Sequence, residues 1–358
     1  MPRYQQFVGV DVAAETFAAS WQSDGHPSPT AARSFAQTSE SYAAFQQQLQ
    51  ATGIPADQTL IVVEATGSYW VALAVAMHAA GYAVSVINPA HVKRWAESLP
   101  RRAKTDALDA QLLVRYAAER QPEPWTPPPL VYHELRQRLV VRDGLLTMRQ
   151  QARNQRHALQ HWPITIAAAT RALDAVISEV DQQLDVLEHE IARILADSAW
   201  AESAQLLATI RGIGLITSAW LLVGTINFTR CASADAAAAY VGLVPLARQS
   251  GTSVRRRAQI GHAGNGRVRT ALYMATLSAA QHNPVIRAQY ARLRAGGKPS
   301  KVARCAAARK LLQIAYAVVT KRQPFDPAYA TRATATDDGV TGGAAVAQRS
   351  ETRDAERR

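Results

Sequence analysis

Cysteine is nearly absent from this 358-residue chain, which holds only Cys231 and Cys305. Two thiols cannot form a disulfide framework or a cysteine-rich zinc site, and a reducing compartment suits them. No HExxH, CxxC pair or histidine cluster offers a zinc site of another kind. No apolar run reaches the roughly 18 residues that a membrane helix needs. The opening segment, MPRYQQFVGVDV, lacks the charged and apolar regions of a signal peptide. A GxxxxGK[ST] phosphate loop is missing too, which argues against nucleotide-driven work. The expectation from these absences is a soluble cytoplasmic protein with no membrane partner.

Acid is missing in one region. The chain carries 40 Lys+Arg against 28 Asp+Glu, a formal charge of +12. Between Ala236 and Phe325 stand 16 Lys+Arg and no Asp or Glu, so the remainder is slightly acidic, at −4. Such a field suits a polyanion. Lipid headgroups fit less well, because these cations alternate with Gly, Ala and polar residues rather than lining one amphipathic helix. Nucleic acid is the expected partner.

What is present divides into four parts and a tail. Residues 4–120 read as an α/β unit: YQQFVGVDV, FAASWQS and ARSFAQT as strands, then SESYAAFQQQLQATG as a helix with a serine cap. LIVVEATG and AVSVINP read as further strands, and YWVALAVAMHAAGY, AHVKRWAESL and KTDALDAQLLVRYA as helices. Residues 121–132, with Pro122, Pro124, Pro127, Pro128 and Pro129, read as a semi-rigid linker. Residues 133–200 are helical, with Leu173, Val176, Ile177, Val180, Leu184, Leu187, Ile191 and Ile194 spaced by three and four. That pattern serves equally a hairpin packed on its own domain or a dimerisation arm. Residues 204–325 form a basic, mostly helical domain, and 330–358 a disordered tail.

Four carboxylates in the first part are placed for metal. Asp11 sits in the apolar run VGVDV, Glu64 closes LIVVE, and Asp106 and Asp109 are three apart in a helix and share a face. A carboxylate inside or ending an apolar strand is costly unless it is paired or metal-bound. An all-oxygen set suits Mg²⁺ or Mn²⁺, and such ions assist phosphoryl transfer. Taken singly, each has a plainer role. Asp106 could cap its helix, Asp109 could pair with Arg115 or Lys104, and Glu64 could hold a turn through Thr66.

In the basic part, Arg211, Gly212 and Gly214 belong to an IRGIG turn that resembles a helix–hairpin–helix, whose backbone N–H groups meet phosphate. The alternative is a tight turn in which glycine supplies positive φ. Gln249-Ser250-Gly251-Thr252-Ser253 follows Arg248 and precedes Arg255, Arg256 and Arg257, so a hydroxyl beside glycine lies near guanidiniums that could neutralise a phosphodiester. By itself the segment reads more readily as a loop or phosphate-binding turn than as a nucleophile. Arg267 and Arg269 in GNGRVR, and Lys104 near the acidic pair, are further candidate nucleic-acid contacts. His262 reads as a surface or phosphate-contacting residue.

VGVDVAAETF, VVEATGSYW, VINPAHVKRW and KTDALDAQLLVRYA together resemble the first half of DEDD-type transposases of the 110/1111 insertion-sequence family. LLATIRGIGLITSAWLL and AAAAYVGLVPLARQSGTSVRRRAQIGHAGNGRVRTALYMATLSA resemble its C-terminal transposase domain. The likeness spans roughly residues 5–320 and implies a ribonuclease-H-like, RuvC-like first domain. It places Asp11, Glu64, Asp106 and Asp109 in the four DEDD positions and Ser250 in that of a nucleophile from the SG motif, in a composite site with the metals. It further implies DNA transposition through a covalent phosphoserine link, guidance by a structured RNA from the element's own end, and homodimers that pair into tetramers. A bacterial, nucleoid-associated location follows. Three other readings compete: a Holliday-junction-type nuclease that activates water with the same metals, a non-catalytic nucleic-acid-binding protein, and a sugar-kinase-like ATPase. The last lacks a second glycine-rich phosphate turn.

Overall fold

Val8 and Val10 on one face of the first strand and Phe7 on the other are all buried, so this strand belongs at the centre of a sheet covered on both sides. The computed structural model puts it there. It describes residues 4–23, 25–26, 28–97, 106–250, 254–261 and 263–328, and only the backbone of 106–108, 246–250 and 254–258. Lys104, Gly251, Thr252, Ser253, His262 and the expected tail 330–358 lie outside the described residues. The chain forms two compact units, Met1–Pro127 and Pro128–Arg358.

The first unit contains β1 (Gln6–Val12), β2 (Thr16–Ser23), β3 (Arg33–Ala36), α1 (Ser39–Gln50), β4 (Thr59–Glu64), α2 (Trp70–Ala79), β5 (Ala83–Ile87), α3 (Pro89–Ala96) and α4 (Asp106–Arg120). The sheet order is β3-β2-β1-β4-β5. β1 and β2 pair antiparallel, as do β2 and β3, whereas β1, β4 and β5 run parallel. The alternation of each strand divides the core in two. Val8, Val10, Ile61 and Val63 pack with Phe45 and Leu49 of α1 and Leu73 and Met77 of α2. Phe7, Leu60 and Val62 pack with Trp95 of α3 and Leu113, Val114 and Ala117 of α4. The result is a three-layer α/β unit with the strands in their expected places.

Two local readings change. The cap of α1 is Thr38, not a serine of SES: its hydroxyl accepts from the Ser41 N–H, and its extended φ of −128° leaves the helix to start at Ser39. The proline-rich segment is docked rather than a free spacer. Trp125 N–H donates to the Val84 carbonyl at 2.6 Å, and Ser85 Oγ donates to the Glu123 carbonyl at 2.8 Å. The Trp125 ring meets Trp70 edge-on at 5.5 Å. β5 is the sheet's edge and has unmet backbone groups, and a segment already extended by proline covers it at low entropic cost.

The second unit comprises α5 (Leu130–Leu159), α6 (Ala167–Asp197), α7 (Ala201–Ala208), α8 (Leu215–Thr225), α9 (Ala234–Val241), β6 (Leu246–Ser250), β7 (Val254–Gln259), α10 (Gly266–His282), α11 (Pro284–Ala295) and α12 (Ser300–Lys321). α5 and α6 are an antiparallel hairpin. Along it Arg138 pairs with Glu190, Arg142 with Glu188, and Arg156 with Asp174, each at 2.6 Å, and Arg149 pairs with Asp181 at 2.5 Å. Of the apolar residues spaced by three and four on α6, Val180, Leu184 and Ile191 are buried, whereas Val176 is exposed. The best buried of these arginines is Arg142, with its side chain 16% exposed. Arg142→Ala should therefore cost about 1–2 kcal/mol, more than loss of an open surface pair, read as a lower denaturation midpoint. The largely apolar α8 is enclosed, with Ala219 and Leu221–Val223 buried and the helix packed chiefly against α5, α7 and α10.

Candidate metal centre and nucleic-acid interface

The β1–β4 register runs from Gln6 opposite Thr59 to Val10 opposite Val63. One further step sets Asp11 beside Glu64 at the carboxyl ends of neighbouring parallel strands. Alternation then assigns both to one face, that of Phe7, Leu60 and Val62, which α4 covers. Glu64 also holds its turn: the Thr66 hydroxyl donates to Glu64 Oε1 at 3.3 Å. Asp11, Glu64 and Asp109 are all partly buried.

Gly9 brings α4 to this strand end. A Cβ at residue 9 would stand 2.2 Å from the Ala110 carbonyl oxygen, 2.5 Å from Val114 N and 2.7 Å from Leu113 Cβ. The helix backbone therefore lies directly on β1, two residues before Asp11. Asp109 precedes the contact point Ala110, and Asp106 is the first residue of α4. Among the described residues no group of three or more His, Cys, Asp or Glu is gathered closely enough to hold an ion; the Asp106 side chain is not among them. The four candidates are all carboxylates, a set of hard oxygen ligands that would suit Mg²⁺ or Mn²⁺.

In the second unit the IRGIG turn joins α7 to α8. Its two glycines differ. Gly212 has φ +102°, and a Cβ there would meet Ala279 of α10 at 2.5 Å. Packing and backbone conformation together explain it. Gly212→Ala should cost about 2–3 kcal/mol, detected as a lower melting temperature, and a variant as stable as the parent would contradict this packing. Gly214 has φ −97°, no atom within 4 Å of a Cβ position, and no side-chain bond capping α8. Neither sterics nor φ demands glycine there, and the open backbone is accessible to an anion. Arg211 is exposed, and its carbonyl accepts from the buried Asn283 at 3.3 Å.

The residues around Ser250, a loop by their sequence pattern, form a hairpin. Ser250 ends β6 opposite Val254, Gln249 faces Arg255, and Arg248 faces Arg256. Arg257 lies in β7 between them and Gln259. Like charges as cross-strand partners disfavour a free hairpin.

Arg267 and Arg269 are both engaged within the unit. Arg267 pairs with Asp143 of α5 at 2.6 Å and lies over the Trp220 ring at 5.4 Å. Arg269 Nη1 donates to the Val241 and Ala263 carbonyls at 3.0 and 2.7 Å, tying together the two chain segments at the base of the β6–β7 hairpin. Gly242 and Gly264 permit this closure. Their φ values are +83° and +84°, and a Cβ on Gly242 would stand 2.1 Å from the Ala263 oxygen. The bracing role of Arg269 is not visible in GNGRVR. The only hint along the chain is a glycine on either side of the hairpin.

A family model described as Transposase, for DEDD transposases of the IS110 type, matches residues 8–161. A second, the Transposase IS116/IS110/IS902 family, matches residues 204–291. A pilin gene-inverting protein of Moraxella bovis is 31% identical over 328 residues, which cover 89% of this chain and 97% of that protein. The chain belongs to the IS110 family. The pilin gene-inverting protein of Moraxella lacunata matches to the same extent, 31% over 328 residues. The insertion element IS110 43.6 kDa protein of Streptomyces coelicolor is 27% identical over 155 residues, 43% of this chain and 37% of that one. As an IS110-family transposase and site-specific recombinase, the protein is a DNA-processing enzyme. Among the described residues no helix is long and apolar enough to cross a membrane.

Proposed function

We propose that this recombinase breaks and rejoins DNA by metal-assisted phosphoryl transfer, with Ser250 as the nucleophile. The observation that carries the reading is the register: Asp11 and Glu64 end adjacent parallel strands on the face that α4, with Asp106 and Asp109, closes down on through Gly9. The strand order 3-2-1-4-5, with β2 alone running against the other four and β1 at the centre, supports a RuvC-like, ribonuclease-H-like unit. Asp11, Glu64, Asp106 and Asp109 would hold Mg²⁺ or Mn²⁺. Such an ion supplies Lewis-acid stabilisation of the charge developing on a phosphodiester.

The chain's own residues do the rest. Ser250 Oγ attacks phosphorus and loses its proton; the P–O bond to the leaving strand breaks, and the departing oxygen takes up a proton. The phosphoserine linkage keeps the bond energy. A hydroxyl of a second strand then attacks it, which restores serine and joins DNA without ATP. Arg248, Arg255, Arg256 and Arg257 neutralise phosphoryl oxygens, and Arg211, the Gly212–Gly214 turn, Lys104 and Arg267 contact nucleic acid. Arg269 acts as the hairpin's brace. The inversion named for the Moraxella relatives is a reaction that leaves no net cut, and it favours such a linkage over hydrolysis by water. Guidance by an element-encoded RNA, homodimers that assemble to tetramers and action at the bacterial nucleoid belong to the same reading; the acid-free stretch 236–325 supports the polyanion partner.

The full chain, incubated with DNA from both flanks of its coding region and Mg²⁺, should yield a protein–DNA adduct that survives denaturant and is prevented by chelator. Cleavage without any adduct would replace the serine with activated water. Adduct formation in chelator would remove the metal from the mechanism.

A further inference from the structure

Most arginines along the α5–α6 hairpin have a carboxylate partner, but a group of cations on α11 and α12 does not. Arg287, Tyr290 and Arg294 recur at intervals of three and four along α11 and share a face. Tyr290 ties that face to the start of α12: its hydroxyl lies 3.1 Å from Ser300 Oγ. The hydroxyl's pKa is lowered by its hydrogen bond with Ser300, then by that with Arg304, with the charges of Arg304 and Arg294 adding to this. Arg294 Nη1 donates to the Lys298 carbonyl at 2.6 Å, which folds the intervening GGK turn back onto α11. Lys301 stands in the first turn of α12 and is exposed, as are Arg287, Arg294 and Lys298. Among the described residues none of these five cations has a carboxylate within ion-pair distance.

We propose that this α11–α12 corner is a contact surface for the phosphate backbone of duplex DNA, separate from the Ser250 hairpin. Unpaired, exposed cations held together on a folded corner repel one another, and bound phosphate relieves that repulsion while releasing counterions. Duplex DNA fits better than single-stranded RNA. Recognition of unpaired bases relies on aromatic faces for stacking, and the one ring here, Tyr290, is partly buried with its hydroxyl engaged. Nothing at the corner reads bases, so the contact is independent of sequence and serves to hold DNA rather than to select it. The inference rests on the family's action on DNA and not on the serine chemistry.

The test is a triple variant, Arg287→Gln, Lys298→Gln and Lys301→Gln, which spares the Tyr290, Ser300, Arg294 and Arg304 contacts. Affinity for a duplex of arbitrary sequence is measured against salt. The plot of log affinity against log salt should flatten by about 2–3, at ~0.9 for each phosphate no longer neutralised, with affinity at least about tenfold lower near 0.1 M salt. A control variant, Arg136→Gln, Arg171→Gln and Arg193→Gln, removes the same charge from the same unit and should change the slope by less than about 0.9. Single Lys298→Gln and Lys301→Gln proteins should each flatten it by about 0.9, which keeps the test available if the triple variant folds poorly. An unchanged slope, an equal loss in the control, or an equal or larger loss for single-stranded RNA of the same length would overturn the proposal.

Discussion

Ser250→Ala should abolish the denaturant-resistant protein–DNA adduct, with strand joining reduced by about 10³-fold or more. That is ~4 kcal/mol of transition-state stabilisation. The serine stands at the end of β6, where the chain turns into arginine-bearing β7, and the base of this hairpin is pinned by Arg269. Loss of one hydroxyl leaves that framework intact, so affinity for DNA should be unchanged. The effect should therefore fall on the rate of joining and not on binding. Thr252→Ala and Ser253→Ala proteins should keep the adduct and thereby single out Ser250 among the neighbouring hydroxyls. An adduct that persists in Ser250→Ala and disappears in Ser253→Ala would move the nucleophile three residues along.

Gly9→Ala is the second large effect, and it acts on the other unit. Two of the three atoms a new methyl would strike belong to the α4 backbone, at 2.2 and 2.5 Å, so no rotamer change relieves the clash. The helix must retreat from β1 or the strand must bend. We expect a loss of about 3 kcal/mol or more in the stability of the first unit. Faster amide hydrogen exchange should appear in β1, β4 and α4, with α5–α12 unchanged. Because Asp109 and Asp106 ride on α4, whatever protein remains folded should also need more Mn²⁺ to reach half-maximal DNA cleavage. Unaltered exchange in β1 and α4 would mean that the close approach at Gly9 contributes little.

These two positions differ in how far they can be seen along the chain. Ser250 is marked by its chemistry, a hydroxyl beside glycine among arginines, yet the strands that carry it are not. LARQS and VRRRAQ lack apolar alternation, and their pairing depends on a closure made by Gly242, Gly264 and Arg269 from outside the hairpin. Gly9 is only a small residue in an apolar run. The helix that demands its smallness begins almost a hundred residues later.

The local patterns are sufficient for a good deal. Runs such as LIVVE can satisfy their burial in few ways, so strand positions, the acidic strand ends and the separation of a −4 region from an acid-free one follow from neighbouring residues alone. Contacts between distant segments need the fold. The three-and-four pattern of α6 is compatible with two kinds of partner, and only the fold reveals the arginine–carboxylate ladder that ties α6 to α5. The proline-rich stretch around Glu123 and Trp125 reads as a spacer until an open sheet edge gives it something to cover. Arg269 and Arg287 look alike in sequence, one basic residue each in an acid-free stretch. One turns inward to two carbonyls and braces a hairpin, and the other remains exposed on a corner of cations, because a side chain's role is set by what the rest of the chain brings within its reach.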